Sequence, residues 1–154
     1  MKLKISDDHE RRLVDPNLHD GKLVGLVMSE PASELGRNLT LLCKTAAGNI
    51  CNLTVPNIDR LRADNFLQGN IIFDVHVWEG QDCPIEKMKE LYLCYFEPHG
   101  SKYIVLENEV DKLLATKIEK ARSEHWTLVT VNSSYGCELF AMSRGPADRI
   151  TIQT

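Results

Sequence analysis

Residues 38–55 carry a strict two-residue alternation that few folds accommodate. Leu39, Leu41 and Cys43 share one side with Cys51, Leu53 and Val55, while Asn38, Thr40, Asn52 and Thr54 point the other way. A period of two over this length is the pattern of strands with one covered face. A turn at Ala46-Ala47-Gly48 makes opposing positions sum to 94, so Cys43 faces Cys51 and Leu41 faces Leu53, both pairs on the apolar side. Turn and pattern agree on one register, and the segment reads as a half-buried antiparallel hairpin.

The same period recurs elsewhere. Lys22–Ser29 is apolar on both sides, as in a strand covered twice, and reads as a central strand ended by Glu30-Pro31. Asn70–Glu79 is the most strand-like stretch, with Ile71, Phe73, Val75 and Val77 on one side and Ile72, Asp74, His76 and Trp78 on the other. Between these segments, Asn57–Arg62 after Pro56 reads as a single helical turn.

After residue 80 the period changes to that of a helix. Asp82-Cys83-Pro84 starts one, with Ile85, Met88, Leu91, Tyr92 and Tyr95 at three- and four-residue spacing and Pro98 and Gly100 at its end. A second helix is capped by Asn108, with Glu107, Glu109 and Asp111 at its start and Lys117, Lys120 and Arg122 at its end. Its stripe is Val110, Leu113, Leu114, Ile118 and Ala121. Lys102–Leu106 fits either a short strand or an early extension of that helix. Strands then return at Trp126–Asn132, Cys137–Ser143 and Arg149–Gln153, with turns at Ser133–Gly136 and Arg144–Pro146.

Strands, two consecutive amphipathic helices, then strands again give an α+β class, not an alternating βαβ fold. About seven strands imply a largely antiparallel sheet, curved or barrel-like. The first 20 residues hold nine charges and little periodicity and read as a polar N-terminal arm, leaving residues 21–154 as a single α+β domain.

The 154 residues are enough for a sizeable core, and a formal net charge of −4 spread along the chain provides no basic footprint for nucleic acid or an anionic membrane. No apolar run approaches the roughly 18 residues of a spanning helix, and the start lacks a signal-like apolar segment, so a cytoplasmic location is expected. The five cysteines are an odd number without CxxC spacing, which fits reduced thiols better than a disulfide framework or a zinc knuckle. Three Asn-x-Ser/Thr matches, at Asn38, Asn52 and Asn132, have no meaning in a chain kept in the cytosol.

Candidate chemistry is sparse. Asp74 and His76 lie two apart on one strand side, where a carboxylate can orient an imidazole for base catalysis or both can hold a metal. Such a pair needs partners, and His99, His125, Cys83 and Glu79 are the available ones. The weak metal set is thus His76, His99 and His125. Ser133-Ser134-Tyr135-Gly136-Cys137 lacks the GxSxG frame of a nucleophile elbow and reads as turn chemistry. No phosphate loop, GxGxxG, HExxH or EF-hand pattern occurs, and no cofactor is indicated.

The leading expectation is a non-catalytic accessory module of the bacterial cytosol, immunity-type or regulatory, that binds a protein partner or forms a homo-oligomer such as a homodimer through exposed strand edges. The alternative is a metal-binding protein or hydrolase-like enzyme centred on Asp74 and His76. A third possibility is a small-ligand barrel with an apolar cavity lined by Leu23, Leu41, Val75 and Leu139.

Overall fold

The hairpin folds in the register its turn dictates. In the computed structural model, which describes residues 3–30, 36–67, 69–93 and 107–154, the elements in chain order are β1 (Lys4–Ile5), β2 (Leu13–Asp15), β3 (Lys22–Ser29), β4 (Arg37–Lys44), β5 (Ile50–Asp64), β6 (Asn70–Glu79), α1 (Ile85–Leu93), α2 (Glu107–Ser123), β7 (Thr127–Tyr135), β8 (Glu138–Ser143) and β9 (Thr151–Gln153). Strands β4 and β5 pair antiparallel with Leu41 opposite Leu53 and Cys43 opposite Cys51. Both cysteines are buried and unbridged. Burial, and then the facing Cys51, pushes the Cys43 thiol up from 9.0 to about 12.

The fold is α+β, with a largely antiparallel sheet that closes into a barrel. Going round it, β3 pairs with β4, β4 with β5, β5 with β8, β8 with β7, β7 with β6, and β6 with β3 again. Strand β9 extends the sheet along the first half of β5, through Leu53 opposite Ile152. The interior is filled by one apolar cluster that includes Leu23, Leu41, Leu53, Val75, Val129 and Leu139. All four residues expected to line a ligand cavity, Leu23, Leu41, Val75 and Leu139, are packed within this cluster.

Three expectations are corrected. Residues 57–62 form no helical turn: β5 runs on to Asp64, absorbing Asn57 at a φ of +53° and a bulge between Ile58 and Arg60 within its pairing with β8. Ser133–Tyr135 are the end of β7 rather than a turn, because they find partners in β6, with Ile72 opposite Ser133 and Ile71 opposite Tyr135. Strand β3 is not covered twice. It pairs with β4 along its whole length but with β6 only at Lys22 and Leu23, because β6 begins at Asn70 and β3 runs past it.

Bulges also change the pattern along β6. Register shifts between Ile71 and Asp74 bring Ile72, Val75 and Val77 to the interior and leave Phe73 exposed. A second cluster forms on the outer side of β6, β7 and β8, where Trp78, Leu128, Phe140 and Met142 meet Met88, Leu91 and Tyr92 of α1 and Leu114, Ile118 and Ala121 of α2. Strand β7 is therefore buried on both faces from Thr127 to Val131. Among the described residues no helix is long and apolar enough to cross a membrane. The expected Lys102–Leu106 segment, and the first helix beyond Leu93, lie outside the described residues.

Candidate functional site

Asp74 and His76 lie on the stretch of β6 that β3 does not reach, and the N-terminal residues take that edge instead. Asp8 organises their turn, its Oδ1 accepting from the Ser6 hydroxyl at 2.8 Å and from the amides of Glu10 and Arg11 at 3.0 and 3.2 Å. The Ser6 bond, ahead of the backbone ones, holds the Asp8 carboxyl below its ordinary 3.8. The Val77 amide donates to Arg11 O, and the Ile72 amide donates to Gly21 O, both at 2.9 Å. Apolar anchors follow, since Leu13 and Leu18 are buried in the barrel cluster.

Beneath this strap His76 is 3% exposed and stacked on Trp78, ring centroids 4.9 Å apart and planes 4° from parallel. The Asn132 amide faces its Nε2 at 3.2 Å, so that nitrogen accepts and Nδ1 carries the proton, donating to Glu10 O at 2.7 Å. Trp78 Nε1 reaches His9 O at 3.4 Å. Asp74 Oδ2 lies 3.6 Å from Arg12 Nε, and its Oδ1 4.0 Å from His19 Nδ1. The two candidate residues thus face the strap; His76 Nδ1 holds it through Glu10 O, while Nε2 is taken by Asn132 of β7. Chemically this arrangement is a latch: it orders residues 9–12 against β6 and leaves no lone pair of His76 directed at an open cavity.

The other candidate residues go elsewhere. His125 sits in the turn after α2 at a φ of +55°, exposed, beside Gly80. His99 lies outside the described residues. Cys83 is buried under the helices and donates to the carbonyls of Trp78 and Trp126 at 3.5 and 3.6 Å, and burial pushes its thiol up to about 11. Among the described residues no group of three His, Cys, Asp or Glu side chains is arranged to hold a metal ion.

Two features have no counterpart in the sequence reading. The first is the free length of β3. From Val24 to Ser29 this strand has no partner on its second edge among the described residues, and Val24, Val27 and Met28 are 62%, 46% and 41% exposed. A groove of about 430 Å³ lined by Leu23, Val24, Phe66 and Leu67 lies at its base. The seam there is held by Asn70, 1% exposed, whose Oδ1 accepts from the Leu67 and Cys137 amides at 2.8 and 3.0 Å while Nδ2 donates to Leu23 O at 3.2 Å. Gly136 permits this, since a Cβ there would meet Asn70 Oδ1 at 2.3 Å. The second feature is a polar pocket at the β5 bulge, where Asp59 and Arg60 come together with Tyr92, Lys117, Lys120, Glu124, Trp126 and Arg144. These positions are scattered over 86 residues of chain, and a bulge inside a strand has no periodic signature. The charged Asp59-Arg60 pair within an otherwise strand-like stretch was the available hint.

Comparison with protein-family models, with curated proteins and with solved structures yields no match to the chain.

Proposed function

We propose that the protein is a non-catalytic binding module of the cytoplasm that associates with a second copy of itself through β3. The observation that carries this reading is the edge from Val24 to Ser29, an uncharged apolar run whose backbone groups on one side have no strand partner among the described residues. Such an edge is a template for strand addition unless it is blunted by charge, proline or a covering element. Only the register shift between Leu23 and Gly25 bends it.

Charge complementarity selects the partner and its direction. Lys22 stands at one end of the run and the exposed Glu30 at the other. A two-fold axis at Leu26 places Val24 opposite the partner's Met28 and brings each Lys22 to the other copy's Glu30. A parallel arrangement would set like charges side by side instead. In this reading the amphipathic helices, inserted ahead of the C-terminal strands, cover the β6–β7–β8 side, and the N-terminal strap covers β6, so that β3 remains for assembly. Pairing over five or six residues with a small apolar patch supports a weak, concentration-dependent dimer.

Light scattering over a concentration series tests the proposal. A dimer should form at high micromolar concentration, weaken in Lys22→Glu, where the introduced carboxylate meets that of Glu30, and return in the double variant Lys22→Glu/Glu30→Lys. A strict monomer at every concentration, or a dimer indifferent to the charge reversals, overturns it. The metal or hydrolase reading at Asp74 and His76 would require His76 Nε2 to leave Asn132. Metal content and thermal stability in His76→Gln separate that reading from a latch role.

A further inference from the structure

The pocket at the β5 bulge carries an inference independent of the dimer. Five separate segments build it: Asp59 and Arg60 from β5, Tyr92 from α1, Lys117 and Lys120 from α2, Glu124 and Trp126 from the turn that follows, and Arg144 from the end of β8. The bulge between Ile58 and Arg60 is what turns Asp59 and Arg60 toward the helices. Arg144, whose amide donates to Asn57 O at 3.0 Å, is anchored to the same irregularity.

Its charges do not cancel. Among the described residues that line it, four cations stand against two carboxylates, in a chain whose formal net charge is −4. Both carboxylates are already engaged. Asp59 accepts from the Arg144 guanidinium and lies 3.4 Å from Arg60 Nε. Glu124 takes the Trp126 indole N–H at 3.0 Å and Lys120 Nζ at 3.8 Å. Lys117 is half-buried, and among the described residues no carboxylate comes within 4.0 Å of its ammonium group. It lies instead over the Tyr92 ring at 5.9 Å, as Arg60 does at 5.7 Å, while Arg144 lies over Trp126 at 5.1 Å. The aromatic faces hold the cations in place at modest cost without neutralising them. The Tyr92 hydroxyl, pushed up first by burial and then by Asp59, stays protonated and able to donate.

The geometry points to a binding site for a small dianionic oxyanion, a phosphate or a compact dicarboxylate, with Lys117 as its principal charge partner and Lys120, Arg60 and Arg144 around it. The volume of about 210 Å³ sets the size. It is below the roughly 300 to 1,000 Å³ of sites for drug-sized ligands and suits a single anionic group. The two positive charges in excess among the described lining residues match two negative ones, and planar guanidinium donors favour oxygen pairs over a halide.

The test uses the full chain, with Trp126 fluorescence as the readout, because the anion would sit beside Arg144 on that ring. Inorganic phosphate at about pH 8, where the dianion predominates, and succinate are titrated separately at constant ionic strength set by sodium chloride. A saturable change with either probe, with Kd raised about tenfold or more in Lys117→Met, as loss of a charge-assisted contact implies, supports the site and identifies which anion it takes. Lys120→Met should give a smaller increase, and circular dichroism checks that both variants remain folded. No saturable change with either anion overturns the inference, as does binding that Lys117→Met and Lys120→Met leave unchanged.

Discussion

Strands β3 and β7 are both apolar by composition, yet they end in opposite environments. Strand β7 has two threonines among its first four residues, and every residue from Thr127 to Val131 is buried. Strand β3 reads Lys-Leu-Val-Gly-Leu-Val-Met-Ser, and only Leu23 is buried. Composition alone ranks them the wrong way round. What separates them is coverage: β7 has β6 and β8 on its two edges, the barrel interior on one face and the helix pair on the other, a position that buries even its threonines, the Thr130 hydroxyl without a hydrogen-bond partner among the described residues. Thr127 donates to Gly145 O at 2.7 Å. Strand β3 runs past the start of β6 and loses a neighbour. Position within the sheet, more than the hydrophobicity of a segment, decides whether an apolar strand becomes core or stays exposed.

The comparison can be broken most directly by truncating each strand. Leu128→Ala, which opens a cavity where β7 meets the helices, should cost about 2–5 kcal/mol in chemical denaturation. Val24→Ala on β3 should stay within about 0.5 kcal/mol. Equal losses would mean that β3 is covered in solution to the same extent as β7.

A second variant sharpens what holds the short seam between β3 and β6. Asn70→Ala leaves the Leu67 and Cys137 amides and Leu23 O without their partner and should cost about 1–3 kcal/mol. Hydrogen exchange should accelerate first in β3 and last in β7. Uniform acceleration would show that the seam is not a separate weak point.

Alkaline pH probes the covered side alone, since β3 carries no cysteine. The thiols of Cys43, Cys83 and Cys137 are pushed up by burial from 9.0 to about 12, 11 and 11. Because the folded values lie above the unfolded one, their contribution is complete below pH 9 and declines as pH rises from 9 toward 12. The denaturation midpoint should fall through that window, and the loss should shrink in Cys43→Ala. A midpoint independent of pH there would argue against burial of these groups.

The smallest expected effect on stability belongs to Val27→Lys. Placing a charge on the open edge should change unfolding by no more than about 0.5 kcal/mol while abolishing the proposed dimer in light scattering. A substantial destabilisation would place Val27 in a covered environment in the monomer.

Legibility in the sequence followed the range of the interactions. The register of the β4–β5 hairpin was readable, because a short turn and a two-residue period leave one register. The boundaries of β3 and β6 were readable too, being marked by Gly, Pro and changes of polarity. The β5 bulge at Asn57–Arg60 was not, since it is stabilised by β8, some 80 residues away, and by no local pattern. For the same reason Asp74 and His76 could be placed on one side of a strand but not assigned their partners. Those are Glu10, Arg12 and Asn132, brought there by a strap whose polar sequence looks unstructured until Leu13 and Leu18 find the core.

By itself the sequence determined the class: α+β, with a largely antiparallel sheet. Periodicity and turn chemistry act over a few residues and leave their record in the order of amino acids. Only the tertiary structure decided that the sheet closes, that β3 has a second strand neighbour only at Lys22 and Leu23 among the described residues, and that four cations from distant segments share one pocket. Closure depends on strand lengths meeting across the barrel, and charge clustering depends on which segments meet, so neither is recorded in any single stretch of chain.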